Sequence, residues 1–314
     1  MLEKMHSPNP RTHSTRLVCA DPVLGLDTSR PRSYATARFQ TLRRSFLSKA
    51  DNQAPVTRYL FLSILFALVF SLAASAATRK IIFDTDPGTD DAMALMLALN
   101  SSELDVRAIT VVPGNVTAKQ GLENALRMVS LANRCDIPVA AGAQHPLFQK
   151  LITAEFWHGK NGLANIELPP SKCKVNSRYG PDLIIELVHA APHEITLVPV
   201  GPLTNIALAA EKDPSIVPLV KQVILMGGSI TGGNVNAAAE ANIYNDPEAA
   251  QIVFQAGWPV TMVGLDVGDK TLLSKRHLEQ LAQTHGPVND FIYQVGFCAR
   301  YCYLSEDDPD RVDR

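Results

Sequence analysis

Four aspartates, Asp84, Asp86, Asp90 and Asp91, fall within eight residues of the segment KIIFDTDPGTDDAMALMLALN, Lys80–Asn100. Carboxylates packed that closely repel one another unless a cation sits among them. Short side chains bearing hard oxygens suit calcium or magnesium far better than zinc or copper. The apolar run Ile81, Ile82, Phe83 ahead of them reads as a buried strand. Behind them Ala92, Leu95, Met96 and Leu99 carry the i, i+3, i+4, i+7 spacing of one buried helix face. Thr89 or Asp90 is placed to cap that helix, and acid there suits the positive end of its dipole. A turn at the carboxyl end of a parallel strand is where open α/β sheets bind ligands. The plainer alternative for the same residues is an acidic, solvated helix start.

The elements that must position this turn alternate from Lys80 onward, which predicts an α/β fold with an open, mostly parallel sheet covered by helices on both faces. Val106–Val112 is a β-branched strand ending at Pro113-Gly114-Asn115, and Thr117–Asn133 follows with helical spacing. Ile137–Ala141 is a short strand. A long irregular stretch from Gly142 to Tyr179 has the length of a functional loop. Pro181–Ala190 is helical, Glu194–Val200 is a strand, and Gly201-Pro202-Leu203-Thr204-Asn205 opens another helix. Val223–Met226 and Val260–Val267 are further strands. Between them Asp246 caps a helix with Pro247 in its first position. Helices over Ser274–Thr284 and Val288–Leu304 complete the pattern.

DTDPGTDDAMAL closely resembles the signature of the nucleoside hydrolases, the inosine–uridine-preferring family, and the resemblance runs from about Lys80 to about Leu304. It implies a Rossmann-like α/β domain that cleaves ribonucleosides into ribose and free base, with Ca2+ as cofactor. By the same resemblance Asp86 and Asp91 ligate the metal and Val200 in LVPVGPLTN offers it a backbone carbonyl; Asp86 is the choice of general base, because it can touch both metal and water. Asp90 holds the 2′-hydroxyl, Asp84 positions the loop, and Asn115 in VVPGNVT lies beside metal and ribose. His158 in FWHGKNGL matches a loop histidine near the nucleobase. Met226 in VILMGG, with Asn234, Glu240 and Asn242 in GGNVNAAAEANIYNDPEAA, matches the sugar-binding stretch. Each fits its plainer role as well: a turn asparagine, a bystander histidine, a core methionine. A polyol nonetheless needs such amides and carboxylates, because leaving a hydroxyl unpaired once water is excluded costs on the order of 1–3 kcal/mol.

Two departures from the family pattern stand out. Ala241 occupies a position where the family usually carries an aromatic residue, so one wall of the ribose pocket must come from elsewhere. The family's last metal ligand is an aspartate in a His-Asp-Pro motif, with a further stretch of domain beyond it. This chain reads Ser305-Glu306-Asp307-Asp308-Pro309-Asp310, so Asp308 is the candidate ligand, and the histidine that assists the leaving base is absent. The expectation is a C-terminally truncated domain, feebly active and poorly soluble, with Phe291, Val295 and Leu304 left as an exposed apolar patch. Two other functions compete: a catalytically impaired exported protein that binds a nucleoside, a sugar or calcium, and a haloacid-dehalogenase-type phosphatase. The phosphatase motif wants Thr or Val where Gly88 stands and leaves Asp90-Asp91 unaccounted for.

The flanks and composition set the remaining expectations. Residues 1–55 are rich in Ser, Thr, Arg and Pro and read as disordered or as a mis-annotated extension. Residues 56–77 read as a signal peptide, an apolar run ending in Ala74-Ser75-Ala76, with translation starting at Val56; an uncleaved anchor is the other reading. Residues 78–314 are then the exported hydrolase domain, periplasmic or secreted, with no stable membrane association. A net charge of −2 and no basic tract argue against nucleic acid as a partner and leave a small ribonucleoside, in nucleoside salvage; a homo-oligomer is compatible with all of this. Of five cysteines, Cys135 and Cys173 lie far apart and no C-x-x-C occurs. Export permits disulfides, but buried free thiols are the expected state.

Overall fold

Strand β1, Arg79–Thr85, decides where the two cores lie, because successive side chains point to opposite faces. Ile82 enters one core with Leu197, Ile206, Leu225 and Trp258, while Ile81 and Phe83 enter the other with Leu95, Ile109, Met128 and Val139. The computed structural model describes residues 78–301. The expected extension and signal peptide, Asp308, Cys19, Cys302 and Leu304 lie outside the described residues.

In chain order β1 is followed by α1 (Thr89–Asn100), β2 (Leu104–Val111), α2 (Ala118–Leu131) and β3 (Val139–Ala141). The long stretch after β3 holds a short helix α3 (Glu155–His158) and a two-residue strand β4 (Val175–Asn176). Then come α4 (Gly180–Ala190), β5 (Thr196–Pro199), α5 (Thr204–Lys212), a 3-10 turn over Pro214–Leu219 and β6 (Gln222–Met226). The series continues with α6 (Ala241–Asn245), α7 (Pro247–Gln255), β7 (Val260–Val263), α8 (Leu265–Gly268), α9 (Lys275–Gln283) and α10 (Pro287–Tyr301).

All strand pairs are parallel and the order is β4-β3-β2-β1-β5-β6-β7. The chain therefore winds outward from β1 in one direction, returns, and winds outward in the other. β1 and β5 flank the switch point, where an open α/β sheet forms its ligand crevice at the carboxyl ends of the strands. Asp84 pairs with Thr110 of β2 and Pro199 of β5, so the aspartate turn emerges at that crevice.

Four details differ from the sequence reading. The α1 N-cap is Gly88 rather than Thr89 or Asp90, and the Asp91 carboxylate reaches back to accept the Gly88 N–H. The last strand stops at Val263, because Gly264 turns the chain into α8. Phe291 and Val295 are no exposed patch: α10 lies on α1 and buries them to 3% and 0% exposure in the Phe83–Leu95 core. Cys135 and Cys173 are not free thiols but a disulfide with Cα atoms 5.0 Å apart, tying the loop ahead of β4 to the α2–β3 connection. Among the described residues no helix is long and apolar enough to cross a membrane.

Candidate active site

The aspartate turn leaves β1 at the switch point, and three of its four carboxylates are buried: Asp84, Asp86 and Asp91 are 0%, 1% and 4% exposed. Asp90, one residue into α1, faces outward. Asp84 Oδ1 accepts from Thr110 Oγ1 at 2.5 Å and from Asn205 Nδ2 at 2.7 Å. Asp91 is fully dressed: Thr85 Oγ1 donates at 2.6 Å, the Gly88 N–H at 3.1 Å and Asn115 Nδ2 at 2.9 Å. Asp86 Oδ2 accepts the Asn115 N–H at 2.7 Å. Asn115 thus bridges the two carboxylates expected to share a metal, its backbone on one and its amide on the other.

Two carboxylate oxygens in this cluster, Asp84 Oδ2 and Asp86 Oδ1, are buried with no hydrogen-bond partner. Two glycines make room around the Asp86 carboxylate: a Cβ on Gly114 would stand 2.0 Å from its bonded Oδ2, and one on Gly201 2.4 Å from the unpartnered Oδ1. Burial raises all three carboxyls. Asp84 is pushed up to about 7, against the bonds from Asn205 and Thr110. Asp91 is also pushed up to about 7, by burial and then by the charge of Asp90. Asp86 lies well above the ordinary carboxylate range, from burial and the neighbouring Asp91 charge. A buried, unpaired carboxylate is costly enough that a cation or a proton must answer it.

The donor chemistry fits a hard divalent cation. It consists of carboxylate oxygens with an orphaned lone pair and the Val200 carbonyl at the end of β5. That carbonyl accepts from Asn242 Nδ2 at 2.8 Å, and its second lone pair remains. Among the described residues no three His, Cys, Asp or Glu side chains converge on one ion, so the side chains described here do not complete a coordination shell unaided. Oxygen-rich sites for such ions draw six to eight ligands from carbonyls, water and bound hydroxyls as well as carboxylates.

A cavity of about 610 Å³ opens over this turn. Its lining brings together Asp90, Asn115, His158, Val200, Met226, Asn234, Glu240 and Asn242, eight of the expected site residues, with Ile152, Phe156, Trp157 and Tyr244 around them. The volume lies within the range of small-ligand sites. Asp86 and Asp91 lie beneath it, bonded to Asn115, one of its lining residues.

The stretch expected to bind the sugar is held by its own hydrogen bonds. Glu240 is 3% exposed and caps α6, its carboxylate accepting the N–H groups of Asn242 and Ile243 and, from the end of β6, of Gly228. Oε2 takes two of these bonds and Oε1 one, so Oε1 keeps a lone pair. Asn242 Nδ2 also approaches the Met226 carbonyl at 3.2 Å and its sulfur at 3.3 Å, fixing β6 to α6. Asn234 Oδ1 accepts the Ala241 N–H at 2.9 Å. Ala241 lines the cavity without an aromatic ring of its own, and the aromatic side chains present are Phe156, Trp157 and Tyr244.

The loop carrying α3 is tied down at several points. The Leu147 N–H donates to Asp246, which also caps α7, and the Ile152 N–H donates to Asn245. The Ala154 N–H donates to the Asn115 carbonyl at 2.9 Å. Residues that sequence reasoning passed over do much of the positioning. Asn205, 0% exposed, joins Asp84, the Val111 carbonyl and the Ala143 N–H. Thr110 and Thr85 orient Asp84 and Asp91 from within the strands. Their signal was weak: a threonine in a strand carries an ordinary β-propensity, and Thr110 meets its acid only through the adjacency of β1 and β2.

Fold and site together define a doubly wound α/β protein with a carboxylate-based crevice at its switch point. The model of the inosine-uridine preferring nucleoside hydrolase family matches residues 81–309, and the chain belongs to that family. It is 44% identical over 220 residues to "Probable uridine nucleosidase 2" of Arabidopsis thaliana, covering 69% of this chain and 68% of that protein. It is 45% identical over 219 residues to the inosine-uridine preferring nucleoside hydrolase of Crithidia fasciculata, covering 69% and 70%. Among solved structures, a plant nucleoside hydrolase superposes with a TM-score of 0.69 at 41% identity over 73% of both chains. The phosphatase alternative has no support in these relationships.

Proposed function

We propose that this chain hydrolyses the N-glycosidic bond of ribonucleosides, releasing ribose and the free base, with calcium held at the aspartate turn. The observation that carries the reading is the pairing of two orphaned buried carboxylate oxygens with an amide- and carboxylate-lined cavity above them. Family membership supplies the reaction class, N-glycoside hydrolysis, and the family is metal-dependent.

Asp86, Asp91 and the Val200 carbonyl would hold the ion, and Asp308 is the proposed further ligand. When bound, the ion neutralises the buried carboxylates and offers coordination positions to ribose hydroxyls and to water. The rest falls to the chain's own groups. Cleavage passes through an oxocarbenium-like sugar, and carboxylates around it favour the developing positive charge. Asp86, with one oxygen unpartnered, takes the proton of the attacking water. General-base help of this kind is typically worth about 10²–10⁴-fold. Asp90 and Asn115 hold the 2′ side of the ribose, Asn242 assists there, and Asn234 with Glu240 Oε1 receives the 5′-hydroxyl. Met226 packs against the sugar. His158 faces the base.

Export rests on the apolar segment at residues 56–77, and the Cys135–Cys173 disulfide supports an oxidising compartment. The decisive assay is ribose release from uridine and inosine by the full chain before EDTA, after EDTA, and after calcium is returned. Loss with EDTA and recovery with calcium support the reading. Release unaffected by EDTA refutes the metal, and no release under any condition refutes the hydrolase.

A further inference from the structure

The imidazole of His158 lines the cavity with its Nδ1 turned away, toward the first turn of α1. Two groups of Thr89 converge on that nitrogen. The Thr89 N–H lies 3.2 Å away and the Thr89 hydroxyl 2.9 Å away. A backbone N–H can only donate, so Nδ1 must present its lone pair, and the ring proton belongs on Nε2. An imidazolium, with hydrogens on both nitrogens, could not accept that bond. The helix dipole acts in the same sense, since its positive end faces the ring. Asp90, 3.8 Å away, pulls toward the charged form, but it is two-thirds exposed, and burial of the ring outweighs it and lowers the pKa. The approach needs Gly88 as well: a Cβ there would stand 2.9 Å from Nδ1 and 2.6 Å from Asn115 Nδ2. The ring is further fixed through its backbone, since the His158 N–H donates to Ala154 and its carbonyl accepts from Ala164 at 2.8 Å.

We propose that Thr89 is a positioning residue that holds His158 in the neutral, Nε2-protonated tautomer, so that the imidazole donates a hydrogen bond to an acceptor on the substrate's base. The inference rests on the ribonucleoside reading for the identity of that substrate. No proton leaves the ring: a neutral imidazole stabilises charge growing on the departing base by hydrogen bonding alone. A preorganised donor aimed at developing negative charge is worth about 10²–10³-fold. The substrate class it selects is a base with a carbonyl oxygen or ring nitrogen within reach of Nε2. A leaving group already stable as an anion, such as p-nitrophenolate, gains little from it.

The experiment combines 15N NMR of the histidine side chains with kinetics, on the full chain and its Thr89→Val, Thr89→Ser and His158→Gln variants. The His158 signals are assigned by their loss in His158→Gln. The expected result is the Nε2–H neutral tautomer at pH 7 in the wild type and in Thr89→Ser. Thr89→Val, nearly isosteric, keeps the N–H and with it the tautomer but loses the hydroxyl that fixes the tilt of the ring; it should lower kcat on uridine about tenfold with KM little changed. Thr89→Ser should restore kcat, and hydrolysis of p-nitrophenyl riboside should be almost indifferent to either change. An Nδ1–H tautomer or an imidazolium in the wild type overturns the proposal, as does a Thr89→Val enzyme with wild-type kcat on uridine. Should the wild type cleave neither riboside, the ribonucleoside reading falls while the NMR spectrum still decides the tautomer.

Discussion

Replacing Asp91 by Asn should make the protein more stable at pH 8 in the absence of divalent ions, and should abolish its stabilisation by calcium. Asp91 is 4% exposed and its carboxyl is raised from the ordinary 3.8 to about 7 by burial and the Asp90 charge. A folded pKa above the unfolded one means that stability is full below about pH 4. It is lost as the pH rises toward 7, because the unfolded chain releases its proton first. At about 1.4 kcal/mol per pH unit the loss is on the order of 4 kcal/mol. For a chain of this size that is a shift in Tm of roughly 10 °C. Asparagine fits the same place. Its oxygen can accept from the Gly88 N–H and Asn115 Nδ2, and its amide can donate to the Thr85 hydroxyl, which rotates to accept.

The assay is thermal melting between pH 4.5 and 8, with EDTA or with saturating calcium, for the wild type and Asp91→Asn. Without divalent ions the wild-type Tm should fall as pH rises across this window, and the Asn variant should fall less. Calcium at about a hundredfold its Kd adds about 2.7 kcal/mol to the wild type by mass action and nothing to the variant. Surface carboxylates such as Asp136, lowered by Arg134, work in the opposite sense and lose stability as pH falls, but solvent screening keeps that contribution small. An Asp91→Asn chain that is less stable than the wild type at pH 8 in EDTA, or that calcium still stabilises fully, would refute the reasoning.

Gly114→Ala should abolish calcium-dependent stabilisation with little loss of helix or sheet signal, because its Cβ would fall 2.0 Å from Asp86 Oδ2; calorimetric titration of calcium together with circular dichroism checks this. Asn205→Ala should destabilise the fold by roughly 2–4 kcal/mol, since it strands the Ala143 N–H and leaves the buried Asp84 with Thr110 as its one donor, and chemical denaturation measures it. Glu240→Ala should lower kcat/KM on uridine by about 10²-fold and on 5′-deoxyuridine by less. It should also cost about 1–2 kcal/mol through loss of the α6 cap, so melting and kinetics must be read together. Reducing Cys135–Cys173 should cost roughly 3–4 kcal/mol by releasing a loop of 38 residues, seen as a lower denaturation midpoint in reductant.

The residues at the strand ends were legible in the sequence because their chemistry is local. Asp84 to Asp91 announce themselves by charge density, and the apolar run and helical period on either side say which end of a strand they occupy. Asp246 with Pro247 likewise reads directly as a helix start, and the structure bonds Asp246 Oδ1 to the Ala249 N–H. The residues that hold the acids in place were not legible, because their roles depend on neighbours far away in the chain. Asn205 meets Asp84 across 121 positions, and Thr110 meets it across 26. The disulfide was missed for the same reason: nothing in the spacing of Cys135 and Cys173 reveals that the pairing of β3 with β4 brings their backbones together. The burial of Phe291 and Val295 depends on α10 finding α1, a pairing that periodicity cannot foresee.

The same geometry explains why the sugar-facing duties proposed for this stretch fall on side chains that also hold the structure. Glu240 joins β6 to α6 through three backbone N–H groups, and Asn242 joins the Val200 carbonyl to Met226. In a parallel sheet each of these strands ends in the crevice with backbone groups that the next helix does not satisfy. A side chain that satisfies them is thereby fixed to within a rotamer, which is the condition for presenting its remaining lone pair or N–H to a substrate at low entropic cost. Binding precision here follows from capping. Substitutions in this stretch should therefore rarely separate cleanly into stability and activity effects, whereas Asp90, largely exposed, should lose activity on mutation without loss of stability, since removing its charge relieves the buried Asp91.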